Sequence, residues 1–266
     1  MYAFEYHRPA TLKDAISLGE KTTECRYLAG GQSLVQAMKL RLSSPASIVD
    51  LNALQELKTI DASPHGVTIG AMVRHAEVGL SHSIRKVVPA LAAVALTIGD
   101  RQVRNMGTIG GSLANGDPAA DYPAAVLALN ATVVTSKRRI GADDFFTGLY
   151  ETALQPGELI TSVEFQVPRR AAYMKCRSPA SGFALVGVFV ADFGDKVRVG
   201  VTGAGASAFR QGDMEKALFA QFTPESIANT RVKADRLNND IHATPEFRAH
   251  LVNVLARRAV AAALEA

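Results

Sequence analysis

Leu28-Ala29-Gly30-Gly31-Gln32-Ser33-Leu34 stands between a short apolar run, Arg26–Ala29, and a stretch of helical spacing, Leu34–Leu42. It reads as a strand entering a tight glycine loop that opens a helix. Outward from it, Thr11 and Asp14 after Pro9 form a capping-box-like start, and Leu12, Ala15 and Ile16 supply a helical face. Ser47–Leu51 reads as the returning strand. Residues 1–55 therefore form a β-type unit with a glycine loop at its heart.

The pattern restarts near residue 56. Val67–Ile69 reads as a strand, Val73–Leu80 as a helix or turn, and Val87–Ile98 as one apolar helix. Met106–Leu113 reads as a second glycine-rich loop, containing Thr108-Ile109-Gly110-Gly111-Ser112. Tyr122–Leu129 follows as a helix, then Thr132–Thr135 and Leu159–Val167 as strands. Pro168-Arg169-Arg170 is a hinge into a third unit. There Tyr173–Lys175, Ala184–Ala191 and Val197–Thr202 have the β-branched alternation of an antiparallel sheet, and Gln211–Ala266 reads as helical. The division expected is 1–55, 56–170 and 171–266.

Composition narrows the class. The 266 residues are 48% hydrophobic and 20% charged, with 21 Gly and 11 Pro, which excludes disorder, collagen and coiled coil. The apolar run Val87–Ile98 falls short of the roughly 20 residues a membrane-spanning helix needs. Met1–Tyr6 lacks the features of a secretory signal. Cys25 and Cys176 cannot supply a disulfide framework, a four-ligand zinc site or an iron–sulfur cluster, so a reducing, cytoplasmic setting is expected. A formal charge of +4, no Trp and small basic clusters without interleaved aromatics argue against a nucleic-acid surface.

The two Gly-Gly segments carry the chemistry. Residues without side chains let successive backbone N–H groups converge on an anion, and a helix start adds positive potential. Ser33, Thr108 and Ser112 add hydroxyls. A diphosphate held between two such segments is one reading; two tight turns are the other. Gly203-Ala204-Gly205-Ala206-Ser207-Ala208 fits the dinucleotide fingerprint but lacks the following βαβ unit and its acidic residue, and reads as a turn. Asp121 is placed to accept from nucleotide hydroxyls, whereas Asp117 before Pro118 reads as a helix-cap residue. No histidine cluster, G-x-S-x-G elbow or nucleophile motif is present, so no catalytic or metal residue is nominated.

Ala29-Gly30-Gly31-Gln32-Ser33-Leu34, Gly107-Thr108-Ile109-Gly110-Gly111-Ser112-Leu113-Ala114, Asp117-Pro118-Ala119-Ala120-Asp121, Asp144-Phe145-Phe146-Thr147-Gly148, Gly157-Glu158-Leu159-Ile160 and Tyr173-Met174-Lys175 occur in this order. The set resembles the FAD-binding medium subunit of the molybdenum hydroxylases. The resemblance implies an α+β fold: a two-lobed FAD-binding domain, one small βα lobe and one larger α+β lobe, then a C-terminal domain with a three-stranded antiparallel sheet and helices. It also implies non-covalent FAD, with the diphosphate wrapped by Leu28, Ala29, Gly30, Gly31, Gln32, Ser33 and Leu34. Thr108, Ile109, Gly110, Gly111 and Ser112 would hold the other side, Ile98 and Gly99 would line the groove, and Asp121 would accept from the nucleotide. Ile160 would pack near the flavin and Lys175 would stand close to it, a cation favouring its anionic reduced form.

Molybdopterin and [2Fe–2S] clusters would then reside on a large and a small partner subunit, in a dimer of heterotrimers. Electrons would pass from the clusters through FAD to an external acceptor. Pro179 and Gly182 replace the Arg and Asp frequent in the loop after the lysine, which counts against NAD as that acceptor. Too few cysteines remain for relatives with an additional cluster. A free-standing FAD oxidase acting directly on a small substrate is the alternative, and a non-enzymatic nucleotide-binding module a third.

Overall fold

In the computed structural model, residues 1–22 and 24–265 are described. Thr11 caps the first helix as expected, its Oγ1 accepting from the Asp14 N–H at 3.2 Å. The amino-terminal elements are β1 (Glu5–His7), α1 (Leu12–Lys21), β2 (Cys25–Leu28), α2 (Leu34–Lys39) and β3 (Ser47–Asp50). The strands form a parallel sheet in the order β1-β3-β2, with Leu28 opposite Asp50. Ala15, Val49, Leu51 and Leu54 are buried on it together with Leu57, Met72 and Leu159 from the next part of the chain.

That part contains β4 (Ile60–Ser63), β5 (Gly66–Gly70), α3 (His75–Leu80), α4 (His82–Val87), α5 (Pro89–Thr97), α6 (Arg101–Met106), α7 (Ile109–Asn115), α8 (Tyr122–Ala128), β6 (Thr132–Thr135) and β7 (Arg139–Gly141). A one-turn α9 (Ala142–Phe145) and the hairpin of β8 (Phe146–Gly148) and β9 (Glu151–Thr152) lead to β10 (Ile160–Phe165). The sheet is antiparallel, ordered β4-β5-β10-β6-β7. The expected single helix over Val87–Ile98 is two helices. Pro89 starts α5 and cannot continue α4, because its ring excludes helical geometry at Val88. Leu91, Val94, Ile109, Leu113, Tyr122 and Phe145 fill the largest core.

The carboxy-terminal sheet is β11 (Arg170–Arg177), β12 (Ala184–Asp192), β13 (Val197–Thr202) and a two-residue β14 (Phe209–Arg210). Its three long strands are antiparallel, and α10 (Gly212–Ala220) and α11 (Pro245–Glu265) cover one face. The chain between these helices corrects the expectation of a helical tail. Apart from a 3-10 turn at Glu225–Ile227 it is irregular, and Asn238 and Asp240 bind the Gly205 carbonyl and Arg248 rather than a helix backbone. Gly203–Ala208 leads into β14, not a helix, in keeping with its reading as a turn.

Candidate functional site

The first glycine segment leaves β2 with Leu28 and turns at Gly31, whose φ of +70° a side-chain-bearing residue adopts only under strain. Among the described residues, no hydrogen-bond acceptor is found for the backbone N–H groups of Gly30, Gly31, Gln32 and Ser33. The Ser33 hydroxyl is exposed and likewise forms no helix-capping bond. Four consecutive donors around a left-handed residue, all at least partly exposed, leave an electropositive stretch of backbone open to an anion.

The second segment meets it in space. A Cβ on Gly30 would overlap the Met106 carbonyl oxygen and lie 2.7 Å from Gly107 Cα, so only glycine allows this approach. One on Gly111 would lie 3.5 Å from Ala29 Cβ. The second segment is not a loop, however: Gly110, Gly111 and Ser112 form the first turn of α7. Thr108 makes it so, its Oγ1 accepting from the Gly111 N–H at 3.1 Å.

Ile109 and Gly110 are buried, and their N–H groups donate to the Val73 and Ala71 carbonyls. These two therefore hold the helix on the sheet, with their N–H groups spent inside the protein. Gly111 and Ser112 alone of the run keep partial exposure. Behind them His75 donates its backbone N–H to the Gly107 carbonyl at 2.9 Å, and burial lowers its imidazole to a pKa of about 4.

A turn at Ile98–Gly99 connects this region to a second polar centre. Arg104 donates to both carbonyls, at 2.9 and 3.0 Å. One residue earlier, the Thr97 carbonyl accepts from Lys175 Nζ at 3.1 Å and Arg177 Nη2 at 2.9 Å. Lys175 Nζ also donates to both Asp121 oxygens, at 2.9 and 3.1 Å, and the Tyr173 hydroxyl donates to Asp121 Oδ1 at 2.6 Å. The lysine and aspartate side chains are only 6% and 3% exposed. Burial pushes the Asp121 carboxyl up, while Lys175 and Tyr173 pull it back; the Tyr173 hydroxyl is pushed up by the same burial.

Asp121 thus spends its acceptors on protein donors rather than presenting a free carboxylate. The sequence singles out Lys175 and Asp121 but neither their pairing nor the part taken by Tyr173. Strand alternation held the signal, since Tyr173 and Lys175 are two apart and share one face of β11. Ile160 is 3% exposed in the large core, opposite Thr135 in the ladder between β10 and β6, so its side chain does not line an open surface. Asp117 accepts from the Ala119 N–H in a local turn and does not cap a helix.

The donor set fits a dinucleotide. Unpaired N–H groups suit a diphosphate, and a buried cation with a turn of half-buried apolar backbone suits a redox ring. Among the described residues no group of three His, Cys, Asp or Glu could hold a metal ion, and no helix is long and apolar enough to cross a membrane.

Comparison with known proteins agrees with the geometry. Residues 2–169 match the family described as the FAD binding domain in molybdopterin dehydrogenase. The chain is 35% identical over 274 residues to the nicotine 6-hydroxylase medium subunit of Paenarthrobacter nicotinovorans, covering 97% of this chain and 96% of that one. It is 41% identical over 194 residues to the glyceraldehyde dehydrogenase medium chain of Sulfolobus acidocaldarius, covering 71% and 69%. A solved carbon monoxide dehydrogenase from Hydrogenophaga pseudoflava, lacking the Mo-pyranopterin moiety of its molybdenum cofactor, superposes with a TM-score of 0.90. That match has 31% identity and covers 99% of this chain and 98% of that one.

Proposed function

Because the chain belongs to the family of FAD-binding domains of molybdopterin dehydrogenases, we propose that it is the flavin-carrying, electron-transferring subunit of a multi-subunit molybdenum hydroxylase. The observation that carries the proposal is the row of unpaired N–H groups from Gly30 to Ser33 beside Gly111. In this reading they grip the FAD diphosphate, with Ser33 and Ser112 adding hydroxyl donors. Leu28, Ala29 and Leu34 shape the cradle, and Thr108 holds Gly111 in place. Ile98 and Gly99 line the groove toward the ring. The buried pair of Lys175 and Asp121 sets a fixed dipole there, its positive end at the lysine partly offset by the carboxylate.

The redox chemistry is the flavin's; this chain binds, orients and tunes it. Electrons come from [2Fe–2S] clusters of a small partner subunit, after substrate oxidation at molybdopterin on a large one, and leave to an external acceptor. The names of the nicotine 6-hydroxylase medium subunit and the carbon monoxide dehydrogenase medium chain support a place in a multi-subunit enzyme. We further propose a dimer of heterotrimers, a cytoplasmic setting and a division into units 1–55, 56–170 and 171–266.

The experiment is to load the purified chain with FAD and follow its absorbance. One FAD per chain should bind, acid should release it into the supernatant, and dithionite should bleach it. Aldehydes and nitrogen heterocycles should not bleach it until both partner subunits are added. Oxidation of such a substrate by the lone chain would overturn the proposal in favour of a free-standing oxidase.

A further inference from the structure

The Ala29 carbonyl oxygen accepts a hydrogen bond from Asn52 Nδ2 at 3.3 Å. Asn52 is itself fixed: its Nδ2 and backbone N–H both donate to Asp50 Oδ1, at 2.7 and 2.9 Å. The other oxygen of Asp50 accepts from the Tyr6 hydroxyl at 2.5 Å. Lys58 Nζ donates to the Asn52 carbonyl at 2.6 Å and anchors the following backbone. Asp50 is 7% exposed at the end of β3, and these donors hold its carboxyl below the usual range against the opposing effect of burial.

This chain of contacts links all three strands of the sheet. Tyr6 belongs to β1, Asp50 to β3, and Ala29 directly follows β2. In a trans peptide the carbonyl and the next N–H point in opposite directions. Fixing the Ala29 oxygen on Asn52 therefore fixes the direction of the Gly30 N–H, the first of the four unpaired donors. Gln32 repeats the device one peptide later, its Nε2 donating to the Gly30 carbonyl at 3.3 Å and so fixing the Gly31 N–H. A preorganised donor loses less freedom when its ligand arrives. Glycines, the most permissive residues of the backbone, most need such an outside restraint.

We infer that Asn52, held by Asp50 and Tyr6, is a positioning residue that aims the Gly30 N–H at the FAD diphosphate. Asn52 touches no phosphate in this arrangement; it acts through one peptide plane. The inference rests on the diphosphate reading of Gly30–Ser33.

The test uses the full chain, titrated with FAD by fluorescence and examined at saturation by 31P NMR and flavin absorbance. Asn52→Leu, close in volume but without the donor, should raise the FAD Kd about tenfold. Its 31P signals should move toward those of free FAD while the bound flavin spectrum is retained. Tyr6→Phe, at a residue 53% exposed, should fold normally and raise the Kd by a smaller factor of about two to three. A Kd within twofold of wild type in Asn52→Leu would overturn the inference while leaving FAD binding intact. So would a flavin spectrum altered in step with the 31P signals, since that marks general collapse of the site. Failure of the wild-type chain to bind FAD would instead remove the functional proposal, and this inference with it. Should Asn52→Leu not fold, Tyr6→Phe decides alone: an unchanged Kd and unchanged 31P signals would overturn the inference.

Discussion

The two glycine pairs look alike in sequence and do different work. Gly30-Gly31 lies outside regular structure, and from Gly30 to Ser33 the backbone N–H groups have no partner among the described residues. Gly110-Gly111 lies inside a helix, with one N–H bonded to Ala71 and the other to the Thr108 hydroxyl. The first pair keeps its N–H groups unspent among the described residues, and the second is a packing device with one edge left open. The helix after the first pair, Leu34–Lys39, and the one that contains the second, Ile109–Asn115, are too short for their macrodipoles to decide anion binding. What separates the pairs is the state of their N–H groups.

Gly110→Val should give the largest effect, and on stability. A Cβ there would stand 2.5 Å from Ala71 Cβ and 2.8 Å from its carbonyl oxygen, so the helix must lift off the sheet. Overpacking of this kind costs about 3 kcal/mol, which lowers the melting temperature of a chain this size by on the order of 10 °C. A variant that melts like wild type but loses FAD would erase the contrast between the pairs.

Acid should loosen the second segment next. His75 packs behind Gly107 and is held neutral with a pKa of about 4, against 6.5 unfolded. The unfolded chain therefore takes up the proton first as pH falls. The contribution of His75 is full above about pH 6.5, declines toward pH 4 and levels below it. Its total is on the order of 3 kcal/mol. Chemical denaturation at pH 7 and pH 4.5 should show a loss that His75→Gln reduces. Equal losses in both proteins would show that other groups dominate.

Gly31→Val should act on the ligand instead. Its φ of +70° and the Val35 side chain both oppose a branched residue, and the local turn must reshape. FAD affinity should fall on the order of a hundredfold, equivalent to about 2.7 kcal/mol, while far-UV circular dichroism stays near wild type. Full flavin content in the variant would make the first pair a structural turn.

How far this contrast could be read from sequence follows from where each signal lies. The Thr11 cap, the strand–glycine–helix order at Leu28–Leu34 and the three long carboxy-terminal strands rest on local propensity and alternation, and the structure has them. The capping power of Thr108 was equally local, yet two adjacent glycines suggested a loop because glycine is a poor helix former. Contact with Ala71 overrides that propensity, and no local pattern encodes it. Asp121 and Lys175 were legible as residues, but their pairing joins parts of the chain 54 positions apart. Ile160 was assigned by resemblance to a ligand surface, whereas the pleat of β10 turns it into the core. Asn52 had no motif at all, since its contacts join segments from three different strands.

The smallest effect separates capping from ligand contact at Thr108. Its hydroxyl is spent on the Gly111 N–H, and the residue is 3% exposed. If the second pair is a packing device, Thr108→Ala removes only a helix cap and costs about 1 kcal/mol of stability. Freeing the Gly111 N–H leaves a donor beside Ala29 that a diphosphate oxygen can take up, so FAD affinity should change less than threefold. Thr108→Ser keeps the cap and should restore the melting temperature. Denaturant titration of the apo chain and an FAD titration together decide it. A fall in affinity of tenfold or more at unchanged stability would place the Thr108 hydroxyl on the ligand and make the two glycine pairs alike after all.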